Sequence, residues 1–483
     1  MESLEYKKIG LKSGLEIHQQ LDTHKLFCSC PSILRKDEPS FKVKRKLNPV
    51  IGESGEVDIA AKYEKELDKT FVYEVFDTNC LVELDEEPPH EINQEALQIA
   101  IHIALHLNCK IFPVTQIMRK TVVNGSNTSG FQRTLLFAHD GFIETSFGKV
   151  AIDYIFLEED SARPSAQGEE DDPELENSKI YKLDRLGIPL VEIATGPHMH
   201  TPEQIKEAAL KIGEILRACK VKRGIGTIRQ DVNVSIDGSE RVEIKGFQNP
   251  DMMITTVNKE IERQQECIQT NSCKKEVRRA NPDGTTTFIR PMPGSARMYP
   301  ETDCQLLKIS KEMIENAKKT LPRLASEKKA FLKEFGLTQE MIGLILSEHK
   351  IEELKYLSKV IKNPNLIAKC LILIPKEIAS KEKKSIQEIN KKLDLRTLEA
   401  VLSEVGKKIS ENDVKIVLQK IVNGEDFNKA IEKEIIDLKK EIKDIMQEKP
   451  GLNPNAYMGL IMAKLKGKVN GKEVMDILNE VTK

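Results

Sequence analysis

Apolar and polar residues alternate along Gly14-Leu15-Glu16-Ile17-His18-Gln19-Gln20-Leu21, which predicts a strand with Glu16, His18 and Gln20 on one face. Two further segments set acids in apolar surroundings. Phe156-Leu157-Glu158-Glu159-Asp160 ends an apolar run in three carboxylates, and Ile188-Pro189-Leu190-Val191-Glu192-Ile193-Ala194 places one acid between aliphatic neighbours. Short apolar runs at 150–157, 189–194 and 241–245 read as strands, with turns expected at Asn124-Gly125, Asp140-Gly141 and Asp237-Gly238. Two helices stand out among them. One covers 94–107 behind the cap Asn93, with Leu97, Ala100, Ile101, Ala104 and Leu105 on one side. The other starts at Thr201-Pro202-Glu203-Gln204, a capping box with proline at the first helical position, and carries the stripe Ile205, Ala208, Ile212, Leu216, Cys219.

From about residue 306 the pattern changes to Leu-, Ile-, Lys- and Glu-rich stretches with helix starts at Thr338 and Ser385. The expected organisation is α+β: a mixed α/β domain over residues 1–305, an all-helical domain over 306–408 and a helical tail over 409–483. The tail is broken at Lys449-Pro450-Gly451 and carries Lys464, Lys466 and Lys468 beside an aliphatic face. The acidic stretch 168–177 is too charged to pack and is expected to be a surface loop.

Charge adds an asymmetry that the net value of −2 conceals. Residues 301–483 hold 35 Lys+Arg against 29 Asp+Glu, a net of +6, so the first 300 carry −8. An acidic first part suits a cation site, and a basic second part suits a phosphate-bearing partner such as RNA, although a lysine-rich helix is also an ordinary solvated face. No apolar run approaches the ~20 residues that span a bilayer. With no signal-like start and nine cysteines in no framework spacing, a cytoplasmic protein is expected.

A buried carboxylate costs several kcal/mol unless it is paired or binds a cation. Glu16, His18, Glu159 and Glu192 are therefore the candidate catalytic set. Carboxylate oxygens are preferred ligands of Mg²⁺, and an imidazole is tolerated by Mg²⁺ or Mn²⁺, so a cation at this set is the expectation. The competing reading pairs these acids with Arg119, Arg163 or Arg185. Arg119, Lys120 and the Gly/Ser/Asn-rich loop containing Ser126 and Asn127 offer groups to a phosphate, but the Gly-Lys-Ser/Thr ending of a Walker loop is missing. Arg229, Asp231 and Lys245 lie in alternating stretches that read as one polar wall, or as an exposed strand face. Cys28-Ser29-Cys30 is half a thiolate site. Cys80 could add a third ligand, but no second close pair follows, so zinc is not expected. His102 and His106 are expected to be structural.

These segments, with Leu26-Phe27-Cys28-Ser29-Cys30-Pro31 and Leu183-Asp184-Arg185-Leu186-Gly187-Ile188-Pro189-Leu190-Val191-Glu192-Ile193-Ala194, resemble the GatB/GatE family, the kinase and tRNA-binding subunits of tRNA-dependent amidotransferases. Glu86-Glu87-Pro88-Pro89-His90, Gly125–Arg133 and Ala296-Arg297-Met298-Tyr299-Pro300-Glu301-Thr302-Asp303 are most similar to the archaeal GatE-type members, which pair with GatD. The resemblance implies a cradle-shaped kinase domain, a helical domain and a YqeY-like tail. It implies ATP-dependent activation of the glutamate carboxylate of Glu-tRNA(Gln) to an acyl phosphate, and amidation by ammonia from a GatD-like amidase within a heterotetramer. It assigns the metal to His18, Glu159 and Glu192, handling of ammonia or a second ion to Glu16, and tRNA phosphates to Lys464, Lys466 and Lys468. GatE-type members carry a large insert near 266–276 that is missing here. Two alternatives stay open: a GatB-like subunit of a three-subunit enzyme acting also on Asp-tRNA(Asn), and a non-catalytic tRNA-binding scaffold.

Overall fold

The computed structural model describes residues 3–52, 55–165, 177–247, 249–294, 297–432, 438–464 and 471–481. The chain divides into two compact units, Met1–Leu324 and Ala325–Lys483. Mixed α+β structure in the first and helices in the second match the expected fold class. Of the expected acidic loop only Asn177 lies within the described residues.

The first unit is built on an eleven-stranded sheet. Its spatial order begins Thr286–Pro291, Glu276–Ala280, Val242–Phe247, Ile228–Ser235 and Lys12–Gln20. It continues through Pro189–Thr195, Gly148–Glu159, Phe131–Thr145 and Ile117–Thr121 to Met298–Pro300, while Lys110–Ile111 pairs with Phe131–Thr145. Neighbours are antiparallel except Val242–Phe247 beside Glu276–Ala280, a parallel pair joined by the helix Pro250–Gln269. After that helix only residues 270–275 lead into the next strand.

Strand alternation sorts the two faces of this sheet. Leu15, Ile17, Val191, Ile193, Val232 and Val234 are buried in one core with Leu97 and Ile101, Ile205 and Ile212, and Val257 and Ile261, which belong to the helices Gln94–His106, Pro202–Ala218 and Pro250–Gln269. Full burial of each such side chain contributes about 1.5–3 kcal/mol. The intervening residues, Glu16, His18, Glu192 and Asp231, are left on the opposite face, where they line a cavity. The caps form where the sequence places them. Asn93 Oδ1 accepts from Ala96 N, and Thr201 Oγ1 from Gln204 N, but Gln204 Oε1 accepts from His200 N, so the capping box is only half made.

Asp140-Gly141 is not a turn. It lies inside the strand Phe131–Thr145, where Asp140 takes φ +50°. A Cβ at Gly141 would collide with Cys109 Sγ and Leu107 O, so the glycine allows the strand to pass closely beneath the preceding segment.

The first unit extends past the expected boundary at 305. Ile309 and Ala317 are buried in its core, His102 bonds to Thr320 Oγ1 at 3.0 Å, and His106 to Pro322 O at 2.8 Å. These bonds hold the helix Lys311–Lys319 to Gln94–His106 and give both histidines the structural role expected of them. The second unit has two cores. One gathers residues from Leu332 to Ile431, beyond the expected division at 408, and the other gathers Leu438, Ile442, Ile445, Tyr457, Ile461, Val474 and Leu478. The expected division at 408 falls inside this packed core. Ser385 and Glu388 make a complete capping box at Ile386–Lys392.

Candidate active site

A cavity of about 1200 Å³ lies over the polar face of the large sheet. Its floor follows from strand register. His18 stands opposite Glu192 on one side and Arg229 on the other, Glu16 opposite Ala194 and Asp231, and Glu192 opposite Phe156. His18 Nε2 lies 3.4 Å from Glu192 Oε2, and Lys120 Nζ lies 2.6 Å from Glu158 Oε2 and 3.3 Å from Glu192 Oε2. Burial works against charge on His18, but the adjoining Glu192 carboxylate outweighs it and raises the imidazole pKa. Burial would likewise lift Glu192, yet Lys120 and His18 hold it well below the usual carboxylate range.

Two donor clusters result. His18, Glu158 and Glu192 present ligand atoms within 4.8 Å of one another, and so do Glu16, Asp231 and Glu243. His18 Nδ1 is buried without a hydrogen-bond partner among the described residues. Burial, followed by repulsion from Glu243 and Glu192, raises the Glu16 pKa, while Lys245 and Asn233 contact the second cluster. Lys120, His18 and Lys245 therefore face five carboxylates on this floor, a set of oxygen donors that suits divalent cations.

The structure changes the expected ligand set. Glu159 points to the core face, 3.4 Å from Arg133 Nη1, and its neighbour Glu158 occupies the cavity face. Ile155 and Leu157 are fully buried, so alternation carries Glu159 to their side. That parity was present in the sequence. Arg119 also departs from expectation: Lys120 lines the cavity, while Arg119 on the other face bonds to Glu301 Oε1 at 2.5 Å. Ser126 and Asn127 do not line the cavity. Ser126 donates to Asn124 Oδ1, and buried Asn127 accepts from Ser161 Oγ, so these side chains are spent within the loop and on the segment at Ser161. Its Gly125 has φ +90°, and a Cβ there would strike the Phe71 ring. Arg229, Asp231 and Lys245 do line the cavity: Lys245 Nζ lies 2.7 Å from Asp231 Oδ2, and Arg229 Nη2 lies 2.9 Å from Asp160 Oδ1.

Sequence reasoning missed Glu158, Asp160 and Glu243 as cavity residues, together with Arg241, Arg290 and Arg297, which stand just before Val242–Phe247, on Thr286–Pro291 and just before Met298–Pro300. Asp160 accepts from Gln20 Nε2 at 2.6 Å, which ties the end of the first strand to the acidic run. Burial would raise the Asp160 pKa, but Arg229 and Arg185 pull it below the usual range.

A separate cluster sets Cys28, Cys30, Cys80 and Glu83 within 4.8 Å of one another. Counting cysteines alone overlooked Glu83 as a fourth donor. Glu83 is already engaged, with Lys25 Nζ 2.6 Å from Oε1 and Cys80 N donating to Oε2 at 2.9 Å. Burial, then the Glu83 charge, pushes the Cys80 thiol up to about 12. Of the three tail lysines, Lys464 lies 3.2 Å from Glu441 at the end of the helix Pro454–Lys464, and Lys466 and Lys468 fall outside the described residues. Among the described residues no helix is long and apolar enough to cross a membrane.

A family model for the GatB/GatE catalytic domain matches residues 11–315. The chain is 36% identical to the GatE subunit of glutamyl-tRNA(Gln) amidotransferase from Methanocaldococcus jannaschii, over 99% of both chains. It is 33% identical to the same subunit from Methanococcus vannielii over 97% of each, and 33% to that from Sulfurisphaera tokodaii over 99% of this chain and all of the relative. The first alignment spans 638 positions against 483 residues here, so the excess marks internal segments of the relative without a counterpart in this chain.

Proposed function

The chain belongs to the GatB/GatE family, and from that membership and the chemistry of its cavity we propose that it converts Glu-tRNA(Gln) to Gln-tRNA(Gln) in a tRNA-dependent amidotransferase. ATP is the activating substrate. One oxygen of the glutamate side-chain carboxylate attacks the terminal phosphorus, ADP leaves, and an acyl phosphate forms. Ammonia from a GatD-like amidase subunit then attacks the acyl carbon, phosphate leaves, and the proton lost by nitrogen passes to a base in the cavity.

The observation that carries this reading is the pair of carboxylate clusters on one cavity floor. His18, Glu158 and Glu192 would hold one Mg²⁺ or Mn²⁺, and Glu16, Asp231 and Glu243 a second. When bound, such ions neutralise phosphate charge that would repel an attacking carboxylate. The residues of the chain do the rest. Lys120 orients Glu158 and Glu192, Lys245 orients Asp231, and Glu16, where it does not hold the second ion, would accept the proton lost by ammonia. Within the second unit, the tail carrying Lys464, Lys466 and Lys468 holds tRNA through phosphate contacts, so binding weakens as salt rises. Partnership with a GatD-like amidase in a heterotetramer completes the reading.

The test is ATP hydrolysis and amidation by the chain with its amidase partner, given Glu-tRNA(Gln) or Asp-tRNA(Asn). Turnover with Glu-tRNA(Gln) alone, lost in Glu192→Gln, is expected. Turnover with both tRNAs would instead indicate a GatB-like enzyme, and ATP-independent tRNA binding without turnover a scaffold.

A further inference from the structure

The cations around the cavity fall into two classes. Lys120, Lys245, Arg185 and Arg229 each have a carboxylate within 4.0 Å. Arg241, Arg290 and Arg297 line the same cavity, and among the described residues none of them has a carboxylate within that reach. Arg241 donates to Met292 Sδ at 3.0 Å, a weak acceptor, and Arg297 Nε donates to Thr121 O at 3.3 Å. The Arg290 side chain has no hydrogen-bond partner among the described residues, although the residue stands half-buried on the strand Thr286–Pro291.

The acids whose charge acts on Arg290 are Glu243, Glu64 and Asp58, and among the described residues none lies within ion-pair distance of it. Glu243 is paired with Lys245. Asp58 caps the helix Ile59–Glu66 through Oδ1 and accepts from Gly294 N through Oδ2 at 2.8 Å. Burial, followed by the charge of Arg297, lowers the Arg290 pKa, so the two guanidinium groups oppose each other across this wall. Arg297 also opposes Lys120. Like charges gathered at a half-buried wall are costly unless an anion joins them.

We propose that Arg241, Arg290 and Arg297 form the polyphosphate seat of the cavity, holding the triphosphate of the nucleotide facing the carboxylate floor. A single carboxylate is satisfied by one guanidinium fork, whereas three separate forks suit an extended chain of phosphate oxygens. The seat also divides the labour. Cation-binding groups stand on the strands of the floor, and the anion-binding groups stand on Thr286–Pro291 (Arg290) and directly before Val242–Phe247 (Arg241) and Met298–Pro300 (Arg297). This inference rests on the proposed ATP-dependent reaction.

The experiment uses the complex with its amidase partner and measures KM for ATP and for Glu-tRNA(Gln). Wild type, Arg290→Ala, Arg290→Lys and Arg297→Ala are compared, with inorganic tripolyphosphate as the competing probe. Both alanine variants should raise KM for ATP at least tenfold and weaken tripolyphosphate inhibition similarly, with KM for Glu-tRNA(Gln) within twofold. Arg290→Lys should recover only part, since an ammonium cannot form the fork. Unchanged KM for ATP and unchanged inhibition in folded variants would overturn the seat. A shift confined to Glu-tRNA(Gln) would overturn it too, giving the wall to acceptor-end phosphates. Failure of the underlying reading would show differently, as a wild-type complex that consumes no ATP.

Discussion

Glu158 and Glu159 are adjacent in sequence and serve opposite faces of one strand. On the core face, Glu159 joins a closed network: Arg133 bridges it to Glu301 at 2.8 Å, Arg119 bonds to Glu301 at 2.5 Å, and both guanidinium groups lie over the Phe131 ring. On the cavity face, Glu158 belongs to a donor cluster with His18 and Glu192, and among the described residues His18 Nδ1 has no hydrogen-bond partner. The contrast separates two uses of buried charge. Charge that holds the fold is compensated within the chain, and charge that meets a ligand is left incomplete.

The largest expected effect falls on the closed side. Arg133→Met strands Glu159 and Glu301 and should cost about 3–5 kcal/mol in chemical denaturation. A loss below 1 kcal/mol would show that the core network does not depend on mutual compensation. Next come the two neighbours compared directly. Glu158→Gln should reduce amidation about 100- to 1000-fold with little change in melting temperature, and Glu159→Gln should act mainly on melting temperature. The reverse assignment would break the comparison.

Metal provides a sharper reading of the open side. Mg²⁺ at 100 times its dissociation constant should stabilise the protein by about 2.7 kcal/mol, as an increase in melting temperature that Glu159→Gln keeps and Glu192→Gln loses. The smallest effect is in pH. Burial would raise the Glu301 pKa, but Arg119 and Arg133 hold it below the ordinary value, so its stabilising contribution is present at neutral pH and is lost as pH falls through that lowered value. The stability gap between wild type and Glu301→Gln, on the order of 1 kcal/mol, should therefore close on the acid side, below the usual range near ~4.3. A gap that persists there would place the stabilisation in packing rather than charge.

Much of the fold and of the site is legible in the order of the residues. The alternation around Leu15 and Ile17 sets Glu16 and His18 on one face, and the caps Asn93, Thr201, Thr338 and Ser385 mark helix starts that form. Glu192 between aliphatic residues announces a site because its burial needs compensation. Reading Glu159 rather than Glu158 as the cavity acid neglects the parity that Ile155 and Leu157 already fix. Asp140-Gly141 misleads for a different reason. A turn signal describes local φ preference, and pairing on both sides turns it into a kink within a strand.

The sequence by itself determined the strand and helix types, the apolar-embedded acids and the change to a helical second part, because periodicity and capping act over a few residues. Only tertiary structure decided that Glu83 joins Cys28, Cys30 and Cys80, that Ile309 and Ala317 belong to the first core, and that Arg241, Arg290 and Arg297 share a wall with the acids of residues 16–243. These facts depend on which distant strands become neighbours and on which charges find a partner there. Electrostatic compensation is a sum over space, and no local pattern in the chain contains it.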